Sequence, residues 1–100
     1  MHTELRKLVT IVAEAALEQR MIKDLERLGA HGYTITDARG KGSRGVRNAE
    51  WERSGNIRME VVCDATIAAA IAMHLSEHYY DNYAMILFIG EVEVLRPEKF

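Results

Sequence analysis

The sequence predicts an α+β domain in which two helices cover one face of a four-stranded antiparallel sheet. The apolar residues change twice from the close spacing of a buried strand to the three-to-four spacing of a helix face. A long glycine-rich stretch separates the two halves, and each half ends in a further strand pattern. The 100 residues suit one domain and are too few for two independent cores. We therefore expect a single domain over residues 1–100.

The first half begins with a strand at residues 5–12, where apolar and mostly β-branched residues stand close together. A helix is predicted at residues 13–28, because apolar residues recur there at every third or fourth position. Its inward face comprises Leu17, Met21, Leu25 and Leu28. Gly29 is expected to end this helix.

The second strand is predicted at residues 33–38, and a loop follows over residues 39–55. The third strand is predicted at residues 57–63, where apolar and polar residues alternate as on a sheet with one buried face. Asp64 stands directly before the next helical pattern and is predicted to cap that helix.

The second helix is predicted at residues 65–80, which are rich in alanine. Its inward side is expected to hold Ile67, Ile71, His74 or Leu75, and His78. The fourth strand is predicted at residues 83–89 and ends at Gly90, with an extension to Leu95 open, and Pro97 is expected to end regular structure. The resulting order βαββαβ is that of a ferredoxin-like domain.

The face of the predicted sheet opposite the helices has nothing to cover it. Val62 and the apolar fourth strand place hydrophobic side chains on that open face. An exposed apolar surface of several hundred square ångströms usually marks a site of association. We therefore expect a symmetric oligomer.

Charge is distributed unevenly along the chain. The net charge is −2, but residues 39–55 hold five basic and two acidic side chains and carry +3, which leaves −5 for the rest. A uniformly basic nucleic-acid binder is therefore disfavoured, and a local anion site on an acidic domain is favoured.

The expected compartment is the cytoplasm. The sequence begins without the pattern of a signal peptide and contains no run of about 18 apolar residues, so direct membrane insertion is not expected. The single cysteine, Cys63, cannot form an internal disulfide, which is typical of a reducing compartment.

The loop at residues 39–55 has the composition of a phosphate site. Residues 40–47 read Gly-Lys-Gly-Ser-Arg-Gly-Val-Arg. The glycines let backbone amides approach an anion, and the lysine, serine and arginines donate to phosphate oxygens. The pattern is neither a Walker loop nor a dinucleotide fingerprint. A loop that is merely solvated is the alternative, but the length of this loop and its Trp51 argue against that interpretation.

Three motifs carry a resemblance to a known family. The first is Gly-Ala-His-Gly-Tyr-Thr from Gly29, the second is the glycine-rich segment at residues 40–47, and the third is His-Tyr-Tyr-Asp-Asn-Tyr-Ala from His78. In this order and spacing they resemble the PII-like signal-transduction proteins of inorganic-carbon uptake, and within these the carboxysome-associated branch. The similarity spans nearly the whole chain.

The resemblance implies a homotrimer of ferredoxin-like subunits that binds an adenine nucleotide, ADP or AMP, in the clefts between subunits. It makes residues 39–55 a T-loop that signals occupancy to a partner, such as a bicarbonate transporter or a carboxysome-associated protein. The residues it assigns to the phosphates are Lys41, Gly42, Ser43, Arg44 and Arg47. Those it assigns to the adenine are Thr36, Leu87, Phe88, Ile89 and Gly90. A bicarbonate beside the phosphates would use Lys41, Ser43 and Arg47.

The chain also departs from the true PII proteins. No Gly-Asp-Gly-Lys segment precedes the last strand, and no modified loop tyrosine is recognisable. Uridylylation and 2-oxoglutarate sensing are therefore not expected.

Two other functions stay open at this point. An RNA-recognition module has the same element order, but the third strand lacks the aromatic residues on which bases stack. An enzyme that hydrolyses the bound nucleotide would need a positioned base, and the sequence shows no nucleophile, base and orienting group. We therefore expect a binding protein that is not an enzyme and has no covalent cofactor.

The remaining candidate residues are interpreted as structural. His74 and His78 stand one helical turn apart, which suits a metal, but packing is the preferred interpretation and no metal site is predicted. His31, in a turn, is expected to be structural or solvated. The tyrosines 79, 80 and 83 are expected to form core and subunit contacts with satisfied hydroxyls.

Overall fold

A computed structural model of the protein describes residues 1–40 and 55–100. Its strands are β1 (Glu4–Glu14), β2 (Thr34–Ala38), β3 (Asn56–Cys63) and β4 (Ile86–Val94). Its helices are α1 (Glu18–Arg27) and α2 (Ala65–His78), and short 3₁₀ turns cover Ala15–Leu17 and Pro97–Lys99. The predicted order βαββαβ is confirmed.

The four strands form one antiparallel sheet in the order β2-β3-β1-β4. β3 returns between β1 and β2, and β4 pairs with the free edge of β1. This is the ferredoxin-type arrangement that the sequence predicts. It leaves β2 and β4 as the two edges of the sheet.

The core lies between the helices and one face of the sheet. Along β1 the residues at odd positions from Val9 to Ala13 are buried, as expected when one face is covered. The main side chains of this core are Val9, Ile11, Leu17, Met21, Leu25, Ile57, Met59, Val61, Ala68, Ile71 and Leu75. The opposite, even-numbered face of β1 is the open face of the sheet.

The first helix begins later than predicted. Ala13 pairs with Ile57 and Glu14 pairs with Asn56, so β1 continues to Glu14 instead of ending at residue 12. A 3₁₀ turn follows, and α1 begins only at Glu18. The pairing partner β3, which the local sequence does not reveal, extends the strand.

The prediction of which residues of α2 face the core is partly wrong. The buried residues are Ala68, Ile71 and Leu75, and they continue to Tyr79 just after the helix. His78 is exposed, and at the two ends of the stripe the buried residue lies one position later than predicted, with Ala68 in place of Ile67 and Tyr79 in place of His78. The two stripes share Ile71, and of the predicted alternatives His74 and Leu75 it is Leu75 that is buried, which spacing alone did not decide.

The predicted fourth strand starts too early. Tyr83 belongs to the turn that leaves α2, since its N–H donates to the carbonyl oxygen of Tyr79 over 3.0 Å. β4 begins at Ile86 and continues past Gly90 to Val94, so the extension is confirmed. Pro97 opens a 3₁₀ turn instead of ending regular structure, because proline suits a first turn, where its missing N–H is not needed.

The roles predicted for Asp64 and Gly29 at the helix termini are confirmed. The Asp64 carboxylate accepts the backbone N–H of Ile67 over 2.8 Å and caps α2. After α1 the chain turns through Gly29 at a φ of 103°. The N–H of Ala30 then donates to the carbonyl oxygen of Leu25 over 3.0 Å, which is the closing bond of a Schellman motif.

Replacing Gly29 by alanine is expected to lower the free energy of unfolding by about 1 to 2 kcal/mol, because a Cβ is disfavoured at positive φ. Urea denaturation measures the effect. The control is Gly32→Ala, at a position without positive φ where a Cβ meets nothing within 4 Å. Equal stability losses in the two variants would contradict the expectation.

Within residues 1–40 and 55–100, no helix is both long enough and apolar enough to cross a membrane.

Candidate functional site

The two ends of the 39–55 loop meet at one end of the sheet. Ala38, the last residue of β2, pairs with Asn56, the first residue of β3. Gly55 is tied to the start of the helical layer, because the N–H of Ala15 donates to its carbonyl oxygen over 3.2 Å. β4 also begins at this end, where Ile86 pairs with Val12. The base of the loop and the start of β4 therefore share one end of the molecule, which we call the loop end.

Thr36 lies on the edge strand β2, on the open face of the sheet. Its cross-strand partner is Arg58, and residues directly opposite each other lie on the same face. The Arg58 guanidinium lies 3.2 Å from the Glu60 carboxylate, and both side chains are partly exposed. Thr36 therefore has a cationic residue as its cross-strand neighbour on the open face.

The four predicted residues of β4 divide between the two faces. Phe88 and Gly90 pair with Thr10 and Leu8 and lie on the open face. Leu87 and Ile89 pair with Ile11 and Val9 and lie on the helix side, where Leu87 packs against the core. The candidate residues of β4 that share a face with Thr36 are thus Phe88 and Gly90.

Thr36 and the β4 residues stand on opposite edges of the sheet. Two strands, β3 and β1, separate β2 from β4. With a strand spacing of about 4.8 Å, the two edges are about 14 Å apart. An adenine ring is much narrower than this separation. Within one chain, therefore, Thr36 and residues 87–90 do not contact the same base.

The predicted phosphate and bicarbonate ligands lie outside the described residues. These are Lys41, Gly42, Ser43, Arg44 and Arg47, and Trp51 lies there as well. What the structure gives is the position of both ends of their segment, at Gly40 and Gly55. Those ends stand at the loop end, the same end of the sheet at which β4 begins.

The open face carries an apolar surface around β1 and β4. Ile86 is 58% exposed and Phe88 is 52% exposed, although both belong to a strand. Leu8, Val12 and Val62 are half-buried on the same face. The expected uncovered apolar face is therefore present, and it extends to the β4 edge.

Asp24 is at the centre of a polar cluster between α1 and α2. The Tyr79 hydroxyl donates to its Oδ2 over 2.5 Å, and His74 Nε2 lies 3.2 Å from the same oxygen. Arg27 Nη2 lies 3.5 Å from Oδ1. The guanidinium carbon of Arg20 lies 4.5 Å from the centroid of the Tyr79 ring. The cluster joins the two helices.

These contacts set the protonation of the cluster. Burial alone raises the pKa of Asp24, but the hydrogen bond from Tyr79, the charge and hydrogen bond of His74 and the hydrogen bond from Arg27 together hold that pKa below its usual value. Burial, followed by the contact with Asp24, raises the pKa of Tyr79. At neutral pH the pair is therefore a carboxylate that accepts and a phenol that donates.

Acid is expected to weaken this cluster through Asp24. The folded-state pKa is lower than the value of about 3.9 in an unfolded chain. The ionised carboxylate therefore stabilises the fold above the unfolded-state pKa, and this stabilisation disappears as the pH falls through the lower, folded-state pKa. Urea unfolding between about pH 5 and pH 2 should show a steeper loss of stability in the wild type than in Asp24→Asn.

The matched control for this pH series is Asp37→Asn, which changes an exposed carboxyl group on β2. Its stability is expected to fall in parallel with that of the wild type. A parallel fall in Asp24→Asn as well would contradict the role assigned to Asp24.

Two residues of these sites, Asp24 and Arg58, carry no signal in the sequence. Asp24 stood among the polar residues of an amphipathic helix, and its partner Tyr79 lies 55 positions further along the chain. No local pattern joins them. Arg58 is one of the polar residues that alternate with apolar ones along β3. Only the strand register, which pairs it with Thr36, relates it to the candidate site.

The other candidate side chains are His31, His74, His78 and Cys63. The rings of His74 and His78 lie 4.3 Å apart, and His31 is exposed. Cys63 is buried, and burial together with the charge of Asp64 raises its pKa to about 11, so its thiol is protonated at neutral pH. In the described part of the chain, no group of three or more His, Cys, Asp or Glu side chains is arranged to hold a metal ion.

Comparison with known proteins gives a family match over nearly the whole chain. The family described as Nitrogen regulatory protein P-II matches residues 6–99. A crystal structure of a protein described as PII-like, from Thermus thermophilus, has 48% identity and a TM-score of 0.86, covering 100% of this chain and 99% of the other.

Two structures of CPII from Thiomonas intermedia share the fold at 23% identity. One is bound to ADP, AMP and acetate, with a TM-score of 0.87 over 100% of this chain and 98% of CPII. The other is bound to ADP and bicarbonate, with a TM-score of 0.86 over 99% of this chain and 97% of CPII.

Proposed function

Because the chain belongs to the nitrogen regulatory protein P-II family, we propose that it is a regulatory protein that senses adenine nucleotides. It binds ADP or AMP in the clefts between the subunits of a homotrimer, and its T-loop at residues 39–55 signals the occupancy to a partner protein. The observation that carries this proposal is the separation of Thr36 from residues 87–90 on opposite edges of the sheet. Only two chains together bring both edges to one base.

The apolar open face supports the oligomer that such a cleft requires. Ile86 and Phe88 lie on the β4 edge and are more than half exposed in the single chain. Packing against a second subunit would bury them and place the β4 edge of one chain near another chain. In this arrangement Leu87, Phe88, Ile89 and Gly90 flank the adenine from one subunit, and Thr36 does so from its neighbour.

The phosphates are assigned to the basic, glycine-rich segment of the T-loop. Lys41, Ser43, Arg44 and Arg47 supply charged or hydroxyl donors, and Gly42 supplies a backbone amide without a side chain to obstruct it. Gly40 and Gly55, which flank the undescribed residues of the loop, lie at the loop end of the sheet, and β4 begins at the same end. Phosphates that extend toward this end from an adenine in the cleft between two subunits would therefore point to the loop.

Bicarbonate is the proposed second ligand. It is a small oxyanion that the same donors recognise, and Lys41, Ser43 and Arg47 are assigned to it. CPII, which shares the fold, is bound to ADP and bicarbonate in one structure. Binding of bicarbonate would assign the protein to the regulation of inorganic-carbon uptake, with the cytoplasm as the proposed compartment. The proposed partner is a bicarbonate transporter or a carboxysome-associated protein.

Isothermal titration calorimetry with ADP, AMP and ATP tests the proposal directly, with and without bicarbonate in the buffer. We expect saturable binding of ADP or AMP with one site per subunit, and an affinity that changes when bicarbonate is added. Absence of heat with every adenine nucleotide at millimolar concentration would refute the proposal. GDP is the matched control, because it has the same phosphates and a different base.

A second measurement separates binding from hydrolysis. The protein is incubated with ATP and magnesium, and released phosphate is measured over time. A switch is expected to release no phosphate above the rate of a protein-free control. Turnover that depends on the protein would assign an enzymatic function instead.

A further inference from the structure

The turn that leads into β4 is fixed by Tyr79. This residue is fully buried, and its carbonyl oxygen accepts the backbone N–H groups of Asn82 over 3.1 Å and Tyr83 over 3.0 Å. The rings of Tyr79 and Tyr83 lie 5.9 Å apart. β4 begins shortly afterwards, at Ile86. Tyr79 therefore anchors the turn that leads into β4.

The side chain of Tyr79 is held by α1. Its hydroxyl donates to Asp24, and the guanidinium of Arg20 lies over its ring. Before α1 the chain passes through the 3₁₀ turn, where Ala15 donates its N–H to the carbonyl oxygen of Gly55. Gly55 is the last residue of the 39–55 loop. A continuous series of contacts thus runs from the start of β4, through Tyr79 and α1, to the exit of the loop.

We propose that the contact of Tyr79 with Asp24 and Arg20, hereafter the α1–α2 clasp, couples the start of β4 to the exit of the 39–55 loop. The coupling rests on the proposed function in that β4 and the loop are taken as parts of one nucleotide site. Tyr79 is a positioning residue, because it acts by holding two segments that belong to that site. Displacement of β4 moves Tyr79, then α1, and then Gly55.

The chemistry of the clasp suits this role. An aromatic ring needs no hydroxyl in order to pack in a core. The Tyr79 ring carries one, and it donates to the Asp24 carboxylate, which His74 and Arg27 also contact. Breaking the bond leaves a largely buried phenol without a partner, which is costly. The contact is therefore either made or broken, and a coupling element needs two such discrete states.

Amide hydrogen exchange without any ligand tests the coupling itself. In Tyr79→Phe, which removes only the hydroxyl, exchange is expected to rise about three- to tenfold at Asn82 and Tyr83 and, together with them, at Ala15. Amides of β1 and β3 in the core should not change. A rise confined to Asn82 and Tyr83, with Ala15 as protected as in the wild type, would overturn the proposal.

ADP titration tests the consequence for the site. Trp51 is the only tryptophan and lies within the loop, so its fluorescence reports on that segment. In Tyr79→Phe we expect the Kd for ADP to rise about two- to tenfold and the change in Trp51 fluorescence at saturation to shrink. An unchanged Kd with a full Trp51 response would make Tyr79 merely structural and would refute the proposal.

Gly29→Ala is the matched control for lost stability. Gly29 ends α1 beside Ile67, at the start of α2, and is remote from Tyr79 at the other end of that helix. It should lower the free energy of unfolding without changing the Kd for ADP, the Trp51 response or exchange at Ala15. A change in ADP affinity as large as that in Tyr79→Phe would assign the effect to general destabilisation and overturn the inference.

Asp24→Asn completes a double-mutant cycle. Because both single changes weaken the same contact, the increase in exchange at Ala15 in the double variant should be smaller than the product of the single effects. Independent effects would contradict a shared clasp. If the wild type binds no ADP, the proposed function fails, and the exchange data alone decide whether the clasp couples the two segments.

Discussion

Replacing Ile86 by glutamate is expected to convert the proposed homotrimer into a monomer that no longer binds ADP. Ile86 lies on the open face at the start of β4 and is 58% exposed in the single chain, so its replacement should leave the fold intact. Burying an isoleucine contributes roughly 1.5 to 3 kcal/mol, and a glutamate in its place adds the cost of an unpaired charge. Symmetry repeats this penalty at each subunit contact.

The loss of ADP binding is the part that tests the site. Ile86 is not among the proposed ligands, so an effect on ADP arises through the missing neighbour subunit. Size-exclusion chromatography with light scattering gives the mass, and calorimetry gives the affinity. Met73→Glu is the control, because Met73 is 63% exposed on α2, in the helical layer. A monomeric Ile86→Glu variant that still binds ADP with wild-type affinity would contradict a cleft between subunits.

Replacing Arg47 by alanine is expected to weaken ADP binding by about 1.5 to 3 kcal/mol, which is about 10- to 150-fold in Kd. Arginine forms two parallel hydrogen bonds with a phosphate, and their loss removes a charge-assisted contact. AMP has one phosphate fewer than ADP, so the comparison of the two ligands shows which phosphate Arg47 contacts. Calorimetry at fixed ionic strength is the measurement.

Arg53→Ala is the control for this change. It removes the same charge from the same loop but lies outside the proposed ligand set. A small and salt-dependent effect is expected for it, because only long-range attraction is lost. Equal losses in Arg47→Ala and Arg53→Ala would mean that the loop attracts ADP by its charge alone, and the assignment of Arg47 would be wrong.

The strands and helices were accessible from the sequence because each is encoded locally. The alternation of Ile57, Met59, Val61 and Cys63 gave the buried face of β3, and the spacing of Leu17, Met21 and Leu25 gave the inward face of α1. Asp64 and Gly29 marked helix ends because capping needs a particular side chain or a positive φ at one position. The family resemblance, carried by short motifs, was confirmed at the level of the P-II family.

The boundaries were less accessible, because pairing across the sheet decides them. β1 continues to Glu14 since β3 offers it partners, and β4 starts at Ile86 because Tyr79 holds the preceding turn. The one-residue shift of the buried stripe on α2 has a similar origin. His74 and Leu75 were both compatible with the spacing, and only the packing of the two helices on the sheet selects Leu75.

The sequence by itself determined the element order, the basic glycine-rich segment and the need to cover an apolar sheet face, since hydrophobic period, charge and glycine content are local properties. The tertiary structure alone decided how distant residues combine. It set Thr36 and residues 87–90 on opposite edges of the sheet, brought Arg58 beside Thr36, and joined Asp24 to Tyr79. Strand order and helix packing arise from contacts between residues far apart in the chain, and no local pattern records them.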